Sequence, residues 1–345
     1  MIVDVHAHCY PKPYIEELKK IGVGDDAQVG VKIPEWSRTE ERIAGMDLLA
    51  IDIQVLSLSA PNVYFQDAEL SKALAQMTND FLSDICKKHP DRFLCLANIP
   101  LNNDLKYAFD ELDRAINDLE MDGIALGTNI NQRPLSDDQF LPFFEEVDKR
   151  KIPIHLHPMR AVGEDLMPAE DRKLAIPVNV GFIFETTRTI AQMTFKGIFE
   201  KYKNLTFILS HSGGAIPFIC PRWDSAYFSY PHSHPLKRLP HPPSHYVRKH
   251  YYDTALSYFP SSMRCTTDFA GVDHILFGTD FPYTINNRAK ETIENIEEYG
   301  FSTEEKAKIF FQNAITLFPR LKILSAWQDS QVRTFDDASR DDLLR

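Results

Sequence analysis

Short runs of consecutive apolar residues alternate along this chain with longer stretches whose apolar positions recur every three or four residues. The runs are Ile2–His6, Ile53–Ser59, Phe93–Ile99, Gly123–Gly127, Ile152–His157, Thr206–His211, Tyr251–Ala255 and His274–Asp280. Unbroken apolar character over so few residues predicts parallel strands covered on both faces. The intervening stretches predict amphipathic helices. Asp67–Lys88 carries Leu70, Leu74, Met77, Phe81 and Ile85 at helical spacing, and Leu105–Leu119 carries Ala108, Leu112, Ala115, Ile116 and Leu119. Asp137–Lys149 and Glu185–Tyr202 follow the same pattern, and Ser302–Leu317 opens on Ser-Thr-Glu-Glu, a helix-start signal. Strand and helix alternating this often predict an α/β fold, a (β/α)8 TIM barrel, with a doubly wound sheet as the alternative of equal cadence.

Three stretches depart from that cadence. Gly22–Ser37, after the first strand, predicts a small insertion or lid. Residues 228–250, rich in proline and histidine, predict a long ordered loop. The polar stretch from about 325 to 345 predicts a C-terminal tail, which leaves 1–324 as the barrel domain.

Composition narrows the function. The chain has 345 residues, with 43% hydrophobic and 25% charged, an ordinary globular balance. A net charge of −11 argues against nucleic-acid binding through an overall positive field. No apolar run is long enough to span a membrane, and Met1–His6 has neither the basic nor the apolar region of a secretory signal. Cys9, Cys86, Cys95, Cys220 and Cys265 are scattered and form no C-x-x-C pair, which fits free thiols in a reducing cytoplasm.

Candidate chemistry concentrates at strand ends. The first strand ends His6-Ala7-His8, and residues i and i+2 of a strand share a face, so both imidazoles can converge on one ion. Strand five ends His155-Leu156-His157, strand six in His211 before Ser212-Gly213-Gly214, and strand eight in Asp280. Closing a barrel brings these ends to one mouth, where barrel active sites are built.

The order of these residues resembles the amidohydrolase superfamily. Finer features resemble its metal-dependent decarboxylase branch, which contains aminocarboxymuconate-semialdehyde decarboxylase. They include Arg42-Ile43-x-x-Met46-Asp47, Gln54-Val55-Leu56-Ser57, Phe184-Glu185-Thr186-Thr187, His211-Ser212-Gly213-Gly214 with Arg222, Asp253-Thr254-Ala255 and Gly278-Thr279-Asp280-Phe281-Pro282. The resemblance implies that His6, His8, His157 and Asp280 hold one divalent ion, with Zn²⁺ suited to three imidazoles and a carboxylate and Mn²⁺ open. It implies that His211 carries a proton beside the ion, that Arg222 binds a substrate carboxylate, and that no organic cofactor takes part. Strand four, Gly123–Gly127, has no lysine to bridge a second metal. Glu185 either orients a ligand histidine or supplies a helix N-terminal charge, Asp253 is a second candidate behind the ligands, and Arg42 is read as structural, pairing near Asp47. Trp36, Phe65, Phe182 and Phe281 are pocket-wall candidates, while His232, His234, His241 and His245 are read as loop contacts. The resembling enzymes form homodimers or homotetramers.

The function these features imply is decarboxylation of a small aromatic or unsaturated carboxylic acid. The alternative is a hydrolase of a lactone or amide working at the same ion. Compared with the aminocarboxymuconate enzymes, Gly22–Ser37 is shorter, offering Lys32 with Arg38 beyond it, and Lys173–Asn179 replaces a tryptophan-bearing stretch. Both changes point toward a monocarboxylate such as a hydroxybenzoate. Many hydroxybenzoate decarboxylases begin Glu-x-His, whereas this chain keeps His-x-His; a 6-methylsalicylate-type acid fits both observations.

Overall fold

Eight parallel strands in sequential order form the centre of the computed structural model. They are β1 Val3–His8, β2 Ile53–Ser57, β3 Phe93–Asn98, β4 Gly123–Gly127, β5 Ile154–His157, β6 Phe207–Leu209, β7 Tyr251–Asp253 and β8 Ile275–Leu276. The segment after β8 closes the ring onto β1. Val5 N–H donates to the Phe277 carbonyl (3.0 Å), Asp280 N–H to that of His6 (2.8 Å) and His8 N–H to that of Phe281 (2.6 Å). This is the (β/α)8 barrel, and it removes the doubly wound alternative. The structure describes residues 1–23, 38–102, 105–163, 169–257, 259–283 and 288–324. Most of the expected insertion at 22–37, including Lys32 and Trp36, and the expected tail at 325–345 lie outside these residues.

The predicted helices are present. Ala68–Lys88 is capped by the Asp67 carboxylate, which accepts from the N–H groups of Glu69 and Leu70. Ser302 and Glu305 make a reciprocal capping box ahead of Thr303–Ala307. Two helices that no periodicity had marked, Lys12–Lys20 and Thr39–Leu48, flank the insertion. The expected loop at 228–250 is more regular than its composition predicts. It holds a 3-10 turn at Pro235–Arg238 and a helix at Pro243–Val247, each opened by a proline whose fixed φ suits a first helical position. His234 caps the first of these, and His241 stacks on His245 at 4.1 Å, so they serve the loop itself.

The barrel interior has two layers. Val3, Val5, Ile53, Val55, Leu94, Leu96, Ala125, Ile208 and Leu276 form one apolar cluster with Ala314, Phe318 and Leu321 of the C-terminal helices. Side chains from six strands can meet in this way only inside the ring, so this layer fills the N-terminal end. Strict alternation from Val3 and Val5 would then send His6 and His8 outward. A bulge prevents this: Asp4 pairs with Gln54 but Ala7 pairs with Leu56, so β1 has one residue more than β2 in that interval. The extra residue reverses the parity and turns both histidines inward, above the apolar layer.

Candidate active site

The imidazoles of His6 and His8 meet a carboxylate at the C-terminal mouth. His6 Nε2 lies 3.0 Å from His8 Nε2, and Asp280 Oδ1 lies 3.2 Å from the first and 3.1 Å from the second. The far side of each ring is already engaged. His6 Nδ1 is 2.8 Å from Asp253 Oδ2, and His8 Nδ1 is 3.1 Å from Ser57 Oγ. If each Nδ1 carries the proton of those bonds, two bare ring nitrogens and a carboxylate oxygen converge on one point. His157 stands over them, with its ring centroid 4.8 Å from that of His8 and 5.3 Å from that of His6. Its Nδ1 is 2.9 Å from the Pro158 carbonyl, so it donates there and leaves Nε2 for a ligand.

His211 completes the ring from the turn after β6. It holds φ at 56°, and Ser212 follows at 55°, left-handed conformations that a non-glycine residue adopts only when its surroundings hold it. The surroundings here are the Asp253 carboxylate, which accepts the His211 N–H at 2.8 Å, and the two glycines that follow. A Cβ on Gly213 would lie 2.6 Å from the Tyr252 ring, and one on Gly214 2.3 Å from the Ile183 carbonyl. His211 Nε2 is buried without a hydrogen-bond partner, 3.6 Å from Asp280 Oδ2. Donor atoms of His6, His157, His211 and Asp280 all lie within 4.8 Å of one another.

Burial without a counter-ion shapes the electrostatics. Burial alone would hold His6 neutral, but the carboxylates of Asp253 and Asp280 outweigh it and raise its pKa to about 10. Burial lowers His8 to about 4, and burial with the neighbouring histidines pushes His157 well below its ordinary value. Burial would raise Asp280, yet the charge on His6 and hydrogen bonds from the histidines hold it well below the usual carboxylate range. The carboxylates thus favour positive charge where the lone pairs converge. A divalent cation is a better occupant of this donor set, and the orphaned His211 Nε2 fits a group bound to that cation.

Asp253 sits directly behind the ligands, bonded to His6 and to the His211 backbone, with His155 3.7 Å away. His155 is the inward residue before His157 on β5, and its Nδ1 has no hydrogen-bond partner. Glu185 lies buried in the first turn of the helix Phe182–Phe195, the second of its two expected places, and pairs with Asn129, Arg188 and the Val162 backbone. Three expectations change in three dimensions. Phe281 turns its ring against the Arg42 guanidinium at 4.7 Å and does not line the cavity. Arg42 does not pair with Asp47, which is taken by Arg92 at 2.7 Å; it holds the His8 carbonyl at 2.6 Å and Gln54 at 3.0 Å. Arg222 is exposed on the helix Ile216–Ser229 and is not among the residues lining the cavity.

Above the histidines opens a cavity of about 1000 Å³. Its floor includes His157, His211 and Asp280, and its walls include Phe182, Phe218, Phe259 and Tyr283, with Arg288 as its one lysine or arginine among the described residues. Phe65 is not part of it. Ser59, Tyr283 and Arg288 were not marked by sequence; Ser59 lies just beyond β2 in phase with Ser57, a period-two signal too common to read alone.

The chain belongs to the amidohydrolase family, whose profile matches residues 3–320. It is 28% identical over 326 residues to a 2-amino-3-carboxymuconate-6-semialdehyde decarboxylase of Dictyostelium discoideum, covering 88% of each chain. It is 27% identical over 323 residues to a 6-methylsalicylic acid decarboxylase of Penicillium expansum, covering 93% of this chain and 97% of that one. A crystal structure of 2,6-dihydroxybenzoate decarboxylase with 2,6-dihydroxybenzoate superposes with a TM-score of 0.78 at 25% identity, covering 92% of this chain and 99% of that one.

Proposed function

We propose that this protein is a metal-dependent decarboxylase of a small aromatic or unsaturated carboxylic acid, working without an organic cofactor. A hydroxybenzoate or 6-methylsalicylate-type acid is the favoured substrate. The observation that carries the reading is the convergence of His6 Nε2, His8 Nε2 and Asp280 Oδ1 beneath an apolar cavity. The activities named for the relatives support it. His6, His8, His157 and Asp280 would hold the ion, and three imidazoles with one carboxylate favour Zn²⁺ over Mn²⁺. When bound, the ion supplies Lewis-acid stabilisation of the negative charge that develops as CO₂ leaves.

The remaining steps belong to the chain. Phe182 and Phe218 fit the flat faces of an aromatic ring, and Arg288 favours entry of an anion. His211, whose Nε2 makes no hydrogen bond and lies 3.6 Å from Asp280 Oδ2, would hold a proton and deliver it to the ring carbon. Protonation at that carbon lets the carbon–carboxylate bond break, its electron pair returning to the ring as CO₂ departs.

The test is a panel of hydroxybenzoates, methylsalicylates and muconate semialdehydes incubated with metal-loaded protein. CO₂ release without net consumption of water is expected. Absence of CO₂ across the panel, with turnover of lactones or amides instead, replaces this reading by the hydrolase.

Cys9, Cys86, Cys95 and Cys220 are buried, and no disulfide joins any of the cysteines among the described residues, which is compatible with a reducing cytoplasmic setting. Among the described residues no helix is long and apolar enough to cross a membrane. Phe218 and Phe259, beside the cavity, are 79% and 54% exposed, a face that supports a homodimer or homotetramer. Light scattering that gives the mass of a single chain would sink the oligomer.

A further inference from the structure

Tyr283 follows Asp280 by three residues and is packed beside the site: its ring centroid is 5.9 Å from that of His8, and its side chain lines the cavity. Its hydroxyl is 2.7 Å from that of Tyr10, the tyrosine just after β1. Either oxygen could be the donor in isolation; the surroundings decide. Tyr10 is fully buried, and a buried phenol proton requires an acceptor. Ser59 faces the Tyr10 oxygen from the other side. Ser59 Oγ is also 3.2 Å from His157 Nδ1 and 3.4 Å from His157 Nε2, but Nδ1 carries a proton directed to the Pro158 carbonyl and the Nε2 lone pair is the one assigned to the ion, so in metal-loaded protein Ser59 donates to neither. The Ser59 proton therefore goes to Tyr10, and the Tyr10 proton to Tyr283. The Tyr283 proton is the one left over, and the space open to it is the cavity.

We infer that Tyr283 is a substrate-positioning donor, giving its phenol proton to the ligand oxygen bound nearest the ion, at the end of a one-way chain from Ser59 through Tyr10. The class of ligand recognised is an aromatic acid or phenol whose oxygen is anionic or strongly accepting. This deepens the proposed decarboxylase reading and rests on it only for the identity of the substrate. A hydrogen bond to a charged oxygen contributes about 1.5–3 kcal/mol, roughly a 10- to 100-fold difference in affinity.

The experiment binds a nitrophenolate chromophore to metal-loaded wild-type protein, Tyr283→Phe and Tyr10→Phe, with metal content measured on each sample. Tyr283→Phe is expected to keep its metal, to bind the chromophore about 10- to 100-fold more weakly, and to shift its absorption to longer wavelength as a donor is lost. Tyr10→Phe is expected to shift it less, in the same direction. Unchanged affinity and spectrum in Tyr283→Phe overturn the inference, as does failure of the wild-type protein to bind the chromophore. An opposite shift in Tyr10→Phe also overturns it, because the chain would then run toward Tyr10 and removing that acceptor would free the Tyr283 proton. Wild-type protein that binds with a Tyr283-dependent shift but releases no CO₂ separates a failure of the decarboxylase reading from a failure of this one.

Discussion

The two layers inside the barrel lie within one ring of strands and obey opposite rules. At the N-terminal end Val5, Val55, Leu96 and Ile208 fill the ring with side chains that need nothing further. At the C-terminal end His6, His8, His157 and Asp280 are also buried, yet their lone pairs face one another and His211 Nε2 makes no hydrogen bond. The lower layer stabilises the fold by excluding water. The upper layer gathers imidazole nitrogens and a carboxylate that could hold a metal ion, on a scaffold whose own hydrogen bonds fix their orientation.

The most severe test of this contrast pairs one substitution from each layer. His157→Ala is expected to lose both metal and turnover, with metal affinity falling by more than the 10- to 100-fold typical of residues behind a ligand. Leu96→Ala is expected to lower unfolding stability by about 2–5 kcal/mol while the folded fraction keeps its metal. Metal analysis and denaturant titration on both variants check this. Retention of metal and turnover by His157→Ala would refute the site.

A subtler separation falls on Asp253, which touches His6 and His211 but lies behind the point of convergence. Asp253→Asn is expected to weaken metal binding about 10- to 100-fold, read by competition with a chelator. Affinity matching the wild type would show that the His6 ring holds its orientation without the carboxylate.

The smallest effect is a pH dependence confined to metal-free protein. There the pKa of His6 is raised from an ordinary 6.5 to about 10, so its contribution to stability is fully present below about pH 6.5 and is lost as pH rises toward 10. The melting temperature of the metal-free protein should fall across that window, while that of the metal-loaded protein should not show this loss, the cation having replaced the proton. Matching curves for the two forms would mean that the carboxylates do not hold a proton on His6.

Much of this was legible in the residues. The eight strand segments, the Ser302 and Asp67 helix starts, and the polar residues closing strands one, five, six and eight could be read because burial on both faces leaves an unbroken apolar run. That Arg222 and Phe281 stand outside the cavity lining and that Arg42 holds the His8 carbonyl could not be read, because sequence spacing says nothing about which way a side chain turns once a helix or loop is docked. Tyr10, Ser59 and Tyr283 were overlooked for a related reason: their order in the chain carries no mark of the hydrogen bonds joining them.

The sequence by itself determined the cadence of the barrel, the identity of the histidines and aspartates that meet in it, and the glycines that allow the turn at His211. Tertiary structure decided which way those side chains face. One extra residue in β1, visible only in its pairing with β2, reverses the parity after Val5 and carries His6 and His8 into the barrel. A strand's period can be read locally, but its phase is set by the neighbour to which it is bonded.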